Sequence, residues 1–328
     1  MEQRASTADS RLRATFALAM VHAAVLATVH ARPGRIAVVL WYLEPPLVSL
    51  AAAVLLAVAL FRSRRAVTPP TAGQLAGYLT LAILVGSLAA FRTYPSSFDD
   101  RPSDVRFVLP LEGPVTVGWG GPTPTVNYHA SIPDQRWAYD LLVTDINPAE
   151  AGSHNPGRTF RTDGTRLDDY YIYGRPVLAP ADGVVHSAHD GEADGPIGQW
   201  SFLRAAGNHV ILEVAPAEFL FIAHLQPGSI AVVPGERVRA RQFLGRVGNS
   251  GNSSEPHVHL HLQDTPTPYL GEGIPLYFHG YRAGGVEIDR GMPYGGRERR
   301  SRRWPGAFTG QIVEDAGTLR APRMPKRR

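Results

Sequence analysis

Cysteine is absent from this sequence, and lysine occurs once, at Lys326. Without thiols there is no disulfide framework, no thiolate zinc site and no cysteine nucleophile. With lysine confined to the basic end, Schiff-base and lysine-base chemistry is excluded from the folded region. Phosphate-binding signatures are missing too. There is no P-loop and no G-x-G-x-x-G turn, and no G-x-S-x-G elbow accompanies Ser253-Ser254. No internal repeat is evident.

What is present is unevenly distributed. The net charge of +4 comes largely from Gly296-Arg297-Glu298-Arg299-Arg300-Ser301-Arg302-Arg303, Arg320, Arg323 and Lys326-Arg327-Arg328. The stretch 291–328 therefore reads as a basic, solvated, disordered tail, whose charge also suits contact with anionic polymers or lipid headgroups. At the other end lie three apolar stretches, Ala14 to Ala31, Ile36 to Phe61 (broken by Glu44-Pro45-Pro46) and Leu75 to Phe91. Each approaches or reaches the ~20 residues needed to cross a bilayer core. A signal peptide could account for the first but not for three in succession. Arg4, Arg11 and Arg13 precede the first stretch, and Arg62, Arg64 and Arg65 separate the second from the third. Keeping both clusters in the cytoplasm makes residues 1–93 a membrane region of three transmembrane helices, with the lipid bilayer as partner. Everything after it then lies on the extracytoplasmic side. Arg32 and Arg35, between the first two stretches, are a weaker competing signal.

Residues 94–106 read as a linker leaving the membrane. From Phe107 the pattern changes to short apolar runs between Gly, Pro, Asn and Asp. Candidate strands are Val115-Gly118, Ala138-Val143, Val177-Leu178, Gly183-Ala188, His209-Val214, Phe219-Ala223 and His257-Leu262. Many short strands with turn signals predict a mostly β domain over 107–290, an antiparallel sandwich or barrel-like fold. Residues 145–173 read as a long loop or insertion.

The most informative run is His257-Val258-His259-Leu260-His261, entered from the turn-rich Gly248-Asn249-Ser250-Gly251-Asn252-Ser253-Ser254. Residues two apart on a strand share a face, so His-x-His aims two imidazoles at one point. Imidazole is the commonest protein ligand for zinc and a ready proton acceptor. A solvated strand face with surface histidines is the competing reading. Other histidines stand at the ends of predicted strands: His129 in Asn127-Tyr128-His129, and His224 in Phe221-Ile222-Ala223-His224-Leu225. Asp140 ends Gln135-Arg136-Trp137-Ala138-Tyr139-Asp140.

The order of pieces resembles the M23 family of zinc metallopeptidases, lysostaphin/LytM-type endopeptidases acting on bacterial cell walls. The resemblance covers about residues 107–265. It is carried by Pro176-Val177-Leu178-Ala179-Pro180-Ala181-Asp182-Gly183-Val184-Val185, Gly207-Asn208-His209-Val210-Ile211-Leu212, Ala223-His224-Leu225 and Val233-Pro234-Gly235. The remaining pieces are Leu244-Gly245-Arg246-Val247-Gly248-Asn249-Ser250-Gly251 and Pro256-His257-Val258-His259. The resemblance implies that Asp140 and His259 bind Zn²⁺, and that His224 and His257 flank it as general base or as stabilisers of an oxyanion. The usual first ligand, four residues before the Asp, is here Arg136, which cannot ligate. His129 is expected to take its place, with His154 as the next choice. His209 is a candidate for the substrate side, and His261, on the same face as His257 and His259, could equally support a ligand from behind and is left unassigned. The expected activity is hydrolysis of peptide bonds in peptidoglycan. The alternative is a catalytically silent M23-like domain that binds the wall or an envelope partner. Expected partners are peptidoglycan peptides and, for the tail, an anionic cell-wall polymer, with no nucleic acid.

Overall fold

The computed structural model describes residues 2–31, 33–64, 71–86, 93–146, 157–199, 201, 204–297 and 308–317. The chain forms two compact units, Met1–Ser97 and Phe98–Arg328.

The first unit consists of α1 (Glu2–Ala31), α2 (Arg35–Ser63) and α3 (Ala72–Gly86). Two segments, Arg13–Ala31 and Arg35–Arg62, are long and apolar enough to cross a membrane. Apolar side chains lie outside as well as inside: Val48 and Ala52 are buried against Leu81 and Leu84, while Ile36 and Leu50 are exposed. Helices apolar all round fit a membrane-embedded segment. The third predicted crossing is shorter than expected. α3 has 15 residues, about 22 Å of helix against a hydrocarbon core of ~30 Å, and residues 87–92 lie outside the described ones. Pro45 and Pro46 do not break α2 but sit within it. Nearby, Glu44 meets His22 of α1 in a buried contact, so two costly polar groups answer each other.

The second unit is built on one ten-stranded sheet. Its strands are β1 (Val115–Trp119), β2 (Tyr139–Leu142), β4 (Gly183–His189), β5 (Asn208–Ala215), β6 (Glu218–Leu225), β7 (Arg237–Val238), β9 (Val258–Gln263), β10 (Phe278–Ala283), β11 (Val286–Gly291) and β12 (Ile312–Asp315). Their order is β11-β10-β12-β1-β2-β9-β6-β5-β4-β7, and β3 (Pro176–Leu178) pairs with β8 (Phe243–Arg246) in a separate ribbon. Every named pairing is antiparallel. The mostly β, antiparallel domain is as expected, and its sheet is open, β11 and β7 forming its two ends. The core beneath it gathers Leu141, Leu212, Leu220, Ile222, Val258 and Leu260 with their neighbours.

Two expected boundaries also shift. The stretch 291–328 is not all tail, because Ile312–Asp315 is β12, inserted between β1 and β10. A cluster of Arg residues in 297–303 masks this short Ile-Val run in the sequence. The 94–106 stretch is not a free linker either. Ser103 donates its backbone N–H to Pro275 O at 3.0 Å, and its hydroxyl to Glu218 at 2.5 Å. Within the 145–173 segment, the described part folds around Asp169, whose carboxylate accepts from Thr162 N, Thr162 Oγ1 and Gly164 N. Thr159 pins it to Glu255 at 2.6 Å, two residues before His257.

Candidate metal centre

Register brings the site together. β9 lies between β2 and β6, with Asp140 opposite His259 on one side and Ala223 opposite His259 on the other. Directly opposed residues of antiparallel strands hold their Cβ atoms about 4.5–5.5 Å apart. Pairing alone therefore sets Asp140 beside His259 and brings His224, the residue after Ala223, to the end of the adjacent strand. Alternation along β9 does the rest. Val258, Leu260 and Leu262 enter the core, which turns His257, His259, His261 and Gln263 to the opposite face. His129 arrives from a 3₁₀ turn, Tyr128–Ser131.

His224 has φ +63, a left-handed conformation that costs a non-glycine residue about 1–3 kcal/mol. Its backbone N–H donates to Ala206 O at 3.1 Å, and its own carbonyl accepts from Gly248 N at 3.0 Å. The ring then lies 4.6 Å from that of His257 and 5.7 Å from that of His259. Next to it, Gly207 and Gly251 approach backbone to backbone. A Cβ on Gly207 would lie 2.4 Å from the Ser250 carbonyl carbon, and one on Gly251 2.4 Å from Gly207 N. This contact fixes Ser250, whose carbonyl receives His224 Nδ1 at 2.8 Å.

Two sets of three side chains each have ligand atoms within 4.8 Å of one another: His129, Asp140 and His259, and His224, His257 and His259. All five residues are buried. His259 Nδ1 is 2.9 Å from Asp140 Oδ1, His257 Nε2 is 3.6 Å from that same oxygen, and His129 Nε2 is 3.7 Å from Oδ2.

The partners behind the rings decide which nitrogens carry protons. Asn127 donates its amide N–H groups to the Gly121 and Ala138 carbonyls, so its oxygen accepts. His129 Nδ1, 3.0 Å from that oxygen, must then be the donor. His224 Nδ1 faces Ser250 O and His257 Nδ1 faces Glu255 O at 2.8 Å each, and a carbonyl can only accept. Each of these three rings is left with an unprotonated Nε2. Burial keeps the rings neutral, holding His129 and His224 well below the usual histidine range and His257 below it, although Asp140 pulls His257 the other way. Burial lowers His259 to about 4. It raises Asp140 to about 6, against the opposing pull of His257.

Lone pairs gathered around a buried carboxylate are poorly accommodated unless a cation or proton lies among them. Two imidazoles, one carboxylate and a free side is the donor set of a catalytic zinc site. The residues fit such an ion.

Arg136, at the position where a ligand was first sought, is engaged elsewhere: its guanidinium stacks 3.9 Å from the Trp137 ring and donates to Pro122 O at 2.9 Å. His154 lies outside the described residues. His209 stands apart from the five, with its ring stacked 5.5 Å from His189 in the wall of a cleft of about 350 Å³. The cleft is also lined by His129, His224, His257 and His259, and Tyr128 and Tyr269 stand at its exposed edge. Sequence reading did not single out Asn127 and Gln263. Gln263 continues the spacing of His257, His259 and His261, and that period of two was the available signal. Asn127 had only its adjacency to His129.

The model of peptidase family M23 matches residues 165–269. No curated protein matches the chain. Among solved structures it is similar to a mutant catalytic domain of the prophage-encoded M23 protein EnpA from Enterococcus faecalis, at 19% identity, covering 52% of this chain and 94% of that one with a TM-score of 0.30. It is also similar to the catalytic domain of the antimicrobial peptidase lysostaphin from Staphylococcus simulans, at 20% identity over 36% of this chain and 84% of that one, with a TM-score of 0.24. A zinc-containing peptidase from Vibrio cholerae aligns at 18% identity over 46% and 45% of the two chains, with a TM-score of 0.22. The matched segment holds His224, His257 and His259, while His129 and Asp140 precede it, so the likeness to peptidase family M23 spans three of the five clustered side chains.

Proposed function

We propose that this protein is a zinc metalloendopeptidase that hydrolyses peptide bonds of bacterial peptidoglycan. In this reading His129 Nε2, the Asp140 carboxylate and His259 hold the metal. The observation that carries it is the convergence of unprotonated imidazole nitrogens on one buried carboxylate. When bound, zinc supplies Lewis acidity that lowers the pKa of water and polarises a carbonyl. The residues around it supply the proton handling. His257 and His224 each present an unprotonated Nε2, because their Nδ1 protons are committed to the Glu255 and Ser250 carbonyls. Either can therefore take a proton from an attacking water. The imidazolium so formed becomes a donor, suited to a developing oxyanion or to the leaving amine.

The cleft of about 350 Å³ beside these residues is where the substrate peptide would lie. Peptidoglycan lies outside the cytoplasmic membrane, so the unit from Phe98 onward is assigned to the extracytoplasmic side, in keeping with the arginine bias around α2. The basic C-terminal stretch would then meet an anionic cell-wall polymer. The test is metal analysis of the purified chain together with cleavage of isolated peptidoglycan. One zinc per chain and release of peptide fragments are expected. A zinc-loaded chain that cleaves nothing would point to the silent, wall-binding form, and a chain without affinity for zinc would end the metallopeptidase reading.

A further inference from the structure

The nitrogen of His259 that faces away from Asp140 has its own partner. His259 Nε2 lies 2.9 Å from His261 Nδ1, and His261 Nε2 lies 3.1 Å from Gln263 Oε1. Gln263 Nε2 in turn reaches the backbone carbonyls of Thr265 and, at 3.0 Å, Thr267. The direction of this row can be read from its far end. Two carbonyls can only accept, so the Gln263 amide nitrogen must face them, and turning the amide over would set oxygen against oxygen. Gln263 Oε1 is then an acceptor, which makes His261 Nε2 the donor. A neutral His261 with its proton on Nε2 offers only a lone pair at Nδ1, and His259 Nε2 must donate to it. His259 Nδ1 is left unprotonated, 2.9 Å from the Asp140 oxygen.

We propose that His261 and Gln263 are positioning residues that fix His259 as its Nε2–H form, so that Nδ1 is held ready for the metal. The inference rests on the zinc reading of the site and adds to it the residues that orient the central ligand. His261 is not itself a ligand, because its two nitrogens face His259 and Gln263. Its ring is stacked on Phe221 with centroids 4.6 Å apart and planes 13° from parallel, so it cannot swing toward the metal without losing that packing. Both residues are buried, which keeps water from substituting for either hydrogen bond. The role is the one that a carboxylate or carbonyl plays behind a metal-bound histidine in other sites, supplied here by a second imidazole whose tautomer is set by an amide.

Two measurements on the full chain in detergent test it. The first is nitrogen NMR of the metal-free chain labelled at histidine, where His259 and His261 are both expected as Nε2–H tautomers. An Nδ1–H form at either residue overturns the proposal, and this result needs no variant. The second is zinc affinity by competition with a chelator. His261→Phe keeps the stacking on Phe221 and removes the acceptor, and is expected to weaken zinc binding about 10–100-fold, the usual cost of losing such a partner. His261→Asn keeps an acceptor near the Nδ1 position and is expected to recover most of that loss. Binding by His261→Phe within about threefold of the unaltered chain overturns the proposal. If the unaltered chain takes up no zinc, the proposed function fails, and the tautomer measurement still decides the role of His261 and Gln263.

Discussion

The two sides of His259 differ in kind. Toward β2 stand Asp140 and His129, a carboxylate and an imidazole; toward β6 stand two imidazoles, His224 and His257. A divalent cation placed on the first side shares its charge with an anion. Among three neutral rings on the second side it would have no anionic ligand, Asp140 coming no nearer than 3.6 Å to His257, and would be less well compensated in a buried setting. Similar distances and burial thus support different chemistry: the side with the carboxylate suits holding an ion, and the side without it suits moving protons.

The largest effect that would break this division is expected from Asp140→Ala. Bound zinc should be lost and cleavage of peptidoglycan should become undetectable, as read by metal analysis and fragment release on one preparation. If Asp140→Ala keeps its zinc while His257→Ala loses it, the two sides have been assigned the wrong way round.

Next come His224→Ala and His257→Ala. Each is expected to lower kcat about 10²–10⁴-fold while leaving zinc in place. Near-normal turnover in both would make these rings structural.

A smaller effect is expected from Asn127→Leu, which removes the acceptor behind His129 and touches nothing on the β6 side. Zinc affinity should fall about 10–100-fold, with the protonation behaviour of the residual activity unchanged. An altered pH profile with unaltered zinc affinity would detach Asn127 from the metal side.

The smallest effect concerns the metal-free chain in acid. The ring pKa values are depressed by burial, His259 to about 4, so the unfolded chain binds protons that the folded one refuses. Their contribution to stability is complete above the ordinary histidine pKa of ~6.5 and is lost as pH falls toward the folded values. Asp140 has the opposite sign. Its pKa is raised to about 6, so the folded chain binds the proton first and gains stability as pH falls from there toward ~4. Replacing it by Asn should steepen the acid loss between these limits by about one proton. Denaturant titrations of both chains at several pH values give that slope; equal slopes would mean that Asp140 is not held as described.

Much of the β unit could be read before the structure was in view, and for a physical reason. β2, β5, β6 and β9 are apolar runs bounded by turn residues, and the His-x-His alternation marked the face they present. β10 and β11 are weaker as strings, polar and half exposed, although Gly284-Gly285 between them has positive φ at both residues and is a strong hairpin signal. β12 was hidden because four residues, two apolar and two acidic, carry no period of their own. Its place depends on edges offered by β1 and β10 from far along the chain. At the site, residue types could be assigned from spacing, but Asn127, Ser250 and Gln263 act through hydrogen bonds whose direction only coordinates reveal. That His129, eleven residues before Asp140, stands beside this carboxylate in place of residue 136 was legible only as a choice between histidines. The turn that brings His129 to Asp140 is a tertiary fact.

The left-handed backbone of His224 has an evolutionary consequence. Glycine or asparagine occupies such a conformation at little cost, whereas most side chains strain it by about 1–2 kcal/mol. Any lineage in which hydrolysis ceased to matter would therefore be expected to drift at this one position toward Gly or Asn, gaining stability as it lost the ring. On the proposed function, an imidazole at φ +63 is a standing cost in stability that the use of the ring offsets. In descendants of this protein, the identity of residue 224 would record whether the cleft is still in use.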